Sequence, residues 1–215
     1  MPAPVATQIE SPAKGFFQAA GLQGEAAPSL TKALSEGVAQ TLSLLLAMGM
    51  VMPGIPTAVD PISGSGSTIG MGSLMPPPTG GPGAQPIEGM LKSLLAGQGL
   101  RGEYAEDLAK AVAASIAQAI TLFTHQSKVL PGIAVAGFVS TSPGRFMPVP
   151  LQTSLEASVN GFLQQHHIAG EYAPDLAKVI AQTLDLGFSL FTAQVMVAPG
   201  IACPPGATTT PGKFM

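Results

Sequence analysis

The sequence predicts a mainly α protein: three tandem helix-turn-long-helix repeats forming a bundle, each followed by an irregular or extended arm rich in proline and glycine. Three observations carry that expectation. A nine-residue motif recurs, GEYAEDLAK at 102–110 and GEYAPDLAK at 170–178, with a more diverged copy, GEAAPSLTK, at 24–32. In each copy the first glycine lies 29 residues ahead of the proline of a PGI triplet: Gly24 to Pro53, Gly102 to Pro131, Gly170 to Pro199. Between the two marks, apolar residues recur at spacings of three, four and seven, one stripe of a helix. Repetition at this period means one supersecondary unit reused to bury a shared core.

Each copy opens with a short apolar-periodic segment, at 87–96, at 151–165 and, more weakly, at 12–20. A glycine turn follows, with Gly21 and Gly24, Gly99 and Gly102, and Gly170, because glycine accepts positive φ after a helix C-terminus at no steric cost. Long helices are expected over 104–128 and 172–197, with Pro28 and Pro174 in first turns, where a missing N–H costs nothing. Glu106, Asp107 and Asp175 place negative charge at the positive end of the helix dipole. Asp107–Lys110 and Asp175–Lys178 are i,i+3 pairs. Gly37, Ala111 and Gly187 are small residues on the apolar stripe, suited to close helix approach.

PGI ends each long helix, since proline cannot continue the hydrogen-bond ladder. The arms that follow are expected at 133–147 and 201–215, both ending in Gly, a basic residue, Phe and Met. Their candidate partner-contact residues are Ile133, Val135, Phe138, Phe146 and Met147 in one, and Ile201, Phe214 and Met215 in the other. Residues 63–86 read as a flexible and then proline-stiffened linker. The division is therefore 1–62, repeat 1; 63–86, linker; 87–147, repeat 2; and 148–215, repeat 3.

Charged residues make up 10% of the 215-residue chain and hydrophobic ones 46%, against about 25% charged in an ordinary soluble domain. The mean hydropathy is +0.39. Nine basic and twelve acidic residues give no extended positive face, which disfavours direct nucleic-acid binding. One cysteine, Cys203, excludes an intrachain disulfide and a cysteine zinc cluster. The first residues lack the basic-then-apolar pattern of a secretion signal, so cytoplasmic synthesis and incorporation into a particle are expected.

No residue set converges on chemistry. The side chains of adjacent His166 and His167 diverge, and His125 has no counterpart in the other copies. Cys203 lacks a local histidine and acid. Glu25, Glu103 and Glu171 sit at helix starts, where capping or dipole compensation explains them. Tyr104 and Tyr172 are expected to staple the turn to its helix. The linker glycines follow no strand and precede no GK[ST], so they are no phosphate loop.

The expectation is therefore a non-enzyme with no catalytic, metal or cofactor residues and no small-molecule substrate. It would be a structural subunit of a large assembly, specifically a virion component of capsid, tail or baseplate accessory type, whose partners are other protein subunits, including copies of itself. The alternative is a membrane- or lipid-associated protein using the apolar run at 42–52. The polar residues aligned with that run in the other copies disfavour it.

Overall fold

In the computed structural model, which describes residues 3–215, the chain is mainly α. Among the described residues are six helices, alternately short and long: α1 (Ala6–Ala19), α2 (Ala27–Met48), α3 (Ala84–Gly97), α4 (Glu103–Gln126), α5 (Gln152–Gln165) and α6 (Ala173–Gln194). Pro28 and Pro174 open α2 and α6 from their first turns, and α4 begins with Glu103 and Glu106, as the dipole favours. The Asp107–Lys110 pair forms at 3.0 Å. No ion pair joins Asp175 to Lys178 among the described residues; a few tenths of a kcal/mol does not hold two solvated side chains together.

The first short helix begins at Ala6, well before the expected residue 12, and runs through Pro12. Proline removes one backbone bond there. Burial offsets that loss, because Ile9, Ala13 and Phe17 sit on one face at successive four-residue steps and are at most 3% exposed. At its start the backbone N–H of Val5 donates to Gln8 Oε1 at 3.1 Å.

The turn after each short helix needs one left-handed residue. Gly21 (φ 73°) and Gly99 (φ 80°) supply two of them, and His167 (φ 58°) supplies the third. Histidine is among the non-glycine residues enriched in that region, at some steric cost. His167→Gly is therefore expected to raise stability by about 0.5–1 kcal/mol, readable as a higher urea midpoint with an unchanged slope.

Each short helix packs on two long ones: α1 on α2 and α6, α3 on α4 and α2, α5 on α6 and α4. The long helices meet inside, with α6 against both α2 and α4. Gly37 lies under α3, where an added Cβ would come within 2.5 Å of Leu91 Cδ2, and Gly187 lies against α2, within 2.7 Å of Val38 Cγ1. Absent side chains at these two places set the helix spacing. The inner layer contains Leu42, Leu45, Ile120, Phe123, Phe188 and Phe191, each at most 2% exposed. Phe123 stands 5.1 Å from Phe188 and 5.8 Å from Phe191, the latter edge-on.

One tie spans two helices. The Leu151 and Gln152 N–H groups at the start of α5 donate to Asp185 Oδ1 of α6, at 2.6 and 3.2 Å. A carboxylate from another helix thus does the work of an N-cap. Asp185→Ala is expected to cost about 1–2 kcal/mol; Asp185→Asn keeps an acceptor and should recover part of it, both read from urea unfolding.

After each long helix the arm expected as irregular or extended carries short paired strands separated by loops. The strands are β1 (Met50–Val51), β2 (Pro56–Val59), β3 (Gly66–Thr68) and β4 (Gly72–Ser73); β5 (Lys128–Val129), β6 (Ala134–Ala136) and β7 (Val139–Ser140); β8 (Gly206–Ala207) and β9 (Gly212–Lys213). One sheet runs β7-β6-β3-β2-β8, and two further pairs are β1-β9 and β4-β5, all antiparallel. Strands β3 and β4 lie within 63–86, the stretch expected as a linker, and Thr68 and Leu74 there are buried. Glycine and serine permit close strand approach as well as flexibility. A Cβ on Gly66 would lie 2.0 Å from the Ala58 carbonyl oxygen.

Candidate functional site

The three PGI triplets meet three hydroxyls. Thr208 Oγ1 accepts the N–H groups of Gly54 and Ile55 at 3.1 and 3.0 Å. Thr68 Oγ1 accepts those of Gly132 and Ile133 at 3.1 and 3.0 Å. Ser140 Oγ accepts those of Gly200 and Ile201 at 3.0 and 2.9 Å. Each triplet also exchanges backbone bonds with the same partner: the Gly132 N–H donates to the Thr68 carbonyl at 2.8 Å, and the Thr68 N–H to the Ile133 carbonyl at 3.0 Å. Buried N–H groups require such partners.

The direction of these contacts is constant. The first triplet is held by the last segment, the second by the first, and the third by the second. Strand pairing follows the same order, with Val51 opposite Gly212, Gly72 opposite Val129, and Gly144 opposite Val197. The strands thereby close on one another, leaving little unpaired edge to attract foreign strands. The aromatic rings of the strand ends join the helical core: Phe146 is 5.1 Å from Phe214, and Phe214 is 6.1 Å from Phe191.

That closure changes the standing of the expected contact arms. Ile133, Val135, Phe146, Ile201 and Phe214 are between 3% and 9% exposed, and Met147 and Met215 are half-buried. These side chains turn into the chain's own core and do not reach outward. Apolar arm residues find a nearer place to bury, because the strands return to the ends of the long helices. Phe138 alone of the eight is well exposed, at 37%, on a two-residue turn where Gly137 and Phe138 both have positive φ. The hydroxyls that hold the triplets were not picked out from sequence. A signal existed: Ser140 and Thr208 each lie nine residues after a PGI proline, while Thr68 lies fifteen after Pro53.

The other candidates stand apart. Glu25, Glu103 and Glu171 are exposed at the helix turns, and Tyr104 and Tyr172 are 80% and 60% exposed, so neither tyrosine staples its turn. His125 and His167 are exposed and His166 is half-buried. No group of three His, Cys, Asp or Glu side chains gathers among the described residues. Cys203 is buried, its thiol donating to the Ile201 carbonyl at 3.2 Å, and burial pushes its pKa up. An open groove of about 350 Å³ between the α1–α2 and α5–α6 turns is lined by Phe17, Leu22, Leu30, Ile168 and Leu176. Its lining is apolar apart from Glu171, the Tyr172 hydroxyl and backbone.

Six exposed apolar side chains fall between 44 and 71 in the sequence, Leu44 (39%), Met48 (37%), Met52 (42%), Ile62 (92%), Ile69 (61%) and Met71 (55%), and Val5, Phe138 and Val139 are exposed elsewhere. Ile62 sits on the loop at 60–65. There the N–H groups of Ser63 and Ile62 donate to Asp60 Oδ1 at 2.6 and 2.9 Å and hold its carboxyl below the usual carboxylate range. Among the described residues α4 alone is long and apolar enough to cross a membrane, and more than half of its most apolar window is buried inside the fold. No protein-family model, curated protein or solved structure matches this chain.

Proposed function

We propose that the chain is a non-enzymatic structural subunit of a large protein assembly, built from three equivalent helix-turn-helix-strand units closed head-to-tail about a common axis. The observation that carries this reading is the threefold recurrence of one junction, in which a Thr or Ser hydroxyl caps the glycine and isoleucine of the next PGI. The repeated residues bond to one another, and among the described residues no polar set converges for chemistry. A body of low charge that leaves several large apolar side chains exposed suits permanent contact with other subunits.

The specific member of that class we propose is a virion component, of capsid, tail or baseplate accessory type. Its low charge and pseudo-threefold construction, suited to a locally three-fold position, support this. Quantitative mass spectrometry of purified particles tests it: a fixed, reproducible copy number per particle is expected. Absence from particles, with the chain recovered free at all stages, would overturn it.

A further inference from the structure

The short helices carry a charged pair that the repeat keeps in two units and breaks in the third. Glu10, Glu88 and Glu156 each lie 14 residues ahead of the glycine that opens the repeated motif, and the residues 10 ahead of it are Lys14, Lys92 and Asn160. In α1 the Lys14 ammonium meets Glu10 Oε1 at 2.7 Å, and in α3 the Lys92 ammonium meets Glu88 Oε1 at 2.9 Å. In α5 the carboxylate is kept and the cation is gone. Among the described residues no ion pair reaches Glu156.

An acceptor stands in the lysine's place. The side-chain oxygen of Asn160 is buried and has no hydrogen-bond donor, which carries a desolvation cost until a donor fills it. Beside it opens a groove of about 380 Å³, lined by Thr153, Glu156, Ala157 and Asn160 of α5 and by Pro174 and Ala177 of α6. Small apolar walls with a carboxylate and an orphaned oxygen complement an alkyl stem that ends in a cationic donor. A lysine side chain has that form, since its stem buries along apolar surface and its head carries three donors. An anion is refused by Glu156, and a hard metal ion wants about six oxygens, more than these side chains bring. The N-terminus of α6 lies alongside, but α1 shows that such a place accepts an ammonium: Pro28 opens α2 as Pro174 opens α6, and Lys14 still pairs with Glu10.

We propose that this groove seats a lysine side chain of a neighbouring subunit, whose ammonium takes on Glu156 and Asn160 Oδ1 the place that Lys14 and Lys92 fill from within in the other two units. The inference rests on the reading of the chain as an assembly subunit and names one of its contacts. The chain's own Lys178 is the match of Lys110, whose charge reaches Glu88. Lys178 is exposed and makes no ion pair among the described residues. Because only the third unit lacks its lysine, each chain offers the site once.

The test follows the nuclear magnetic resonance signals of the full chain during titration with Nα-acetyl-lysine methylamide, with the norleucine analogue as uncharged control. Saturable movement of the Asn160 side-chain amide and of the Ala157 and Ala177 N–H signals is expected, with a Kd on the order of 10 mM that weakens as salt is added. Signals beside Glu10 and Glu88 should stay still, because those carboxylates hold their own lysines. Glu156→Gln should weaken binding at least about fivefold, and Asn160→Lys should abolish it by supplying the ammonium from within; an unchanged circular dichroism spectrum certifies both folds. In purified particles, carbodiimide coupling read by mass spectrometry should join Glu156 to a lysine of another chain. No saturable movement, equal movement at all three short helices, an equal response to the norleucine analogue, or coupling confined to Lys178 of the same chain overturns the proposal. The titration reads the free chain, so absence from particles removes the assembly reading and the neighbour's lysine with it, while a failed titration removes the groove alone.

Discussion

A chain carrying Thr68→Val, Ser140→Ala and Thr208→Val together is expected to lose about 3–9 kcal/mol of stability. Each substitution deprives the buried N–H of Ile133, Ile201 or Ile55 of its hydroxyl acceptor. The neighbouring glycine N–H keeps a second acceptor in the backbone carbonyl of the same residue, so one orphaned donor per site sets the scale, about 1–3 kcal/mol. Valine preserves the shape of threonine, which keeps cavity effects small. The three sites lie in different segments, Thr68 in β3, Ser140 in β7 and Thr208 just after β8, and should add. Against a usual total of about 5–15 kcal/mol, the triple variant sits near the edge of folding. Urea unfolding of the three single variants and the triple checks this; losses below about 0.5 kcal/mol at every site would mean that the junctions do not hold the body together.

Phe123→Ala is expected to cost about 3–5 kcal/mol. The ring is 1% exposed and packs against Phe188 and Phe191, where the last turns of the long helices meet the strands. Its loss leaves a cavity that stiff neighbours cannot refill, and it also removes the edge-on contact with Phe191. For a chain of this length the melting temperature should fall by roughly 6–20 °C in calorimetry. A fall of a degree or two would place the core elsewhere.

The helical half of the molecule was legible because its signals are local. Glycine turns, first-turn prolines and the apolar stripe place the long helices within a few residues, and Gly37 and Gly187 do sit where helices approach closely. The short first helix was less legible, since Pro12 argued for a start at the position it in fact interrupts. The strands were not legible at all as strands. Most are two or three residues long, too short for alternation to register, and their partners are remote: Met50 pairs with Lys213 and Thr57 with Gly206.

The arm residues illustrate the consequence for function. Ile201 and Phe214 have the look of side chains meant for a neighbour, and the neighbour they find is their own chain. The matching ends Gly-Arg-Phe-Met and Gly-Lys-Phe-Met sit in matching places, with Gly144 opposite Val197 and Gly212 opposite Val51, each just beyond the end of a long helix. In the first copy the same place is taken by Gly72-Ser73-Leu74, six residues later than the spacing of the other copies predicts. That offset hid it within the apparent linker. The exposure of Leu44 and Met48 was not legible in the apolar run at 42–52, since it depends on which side of α2 the bundle covers.

In the proposed ring, the junction between the third and first units equals the two that carry a covalent connection. The chain ends permit a direct test. Gln194 Nε2 at the end of α6 donates to Gln8 Oε1 in the first turn of α1 at 3.4 Å, and the Met215 N–H donates to the Met196 carbonyl at 2.9 Å. A circular permutant joining Met215 to Met1 through a short Gly/Ser linker and opened between Met147 and Leu151 exchanges one connection for another. Equilibrium urea unfolding followed by circular dichroism should give a single cooperative transition within about 1–2 kcal/mol of the parent. A permutant that unfolds in two steps, or that fails to fold while the parent does, would contradict the ring of three equivalent junctions.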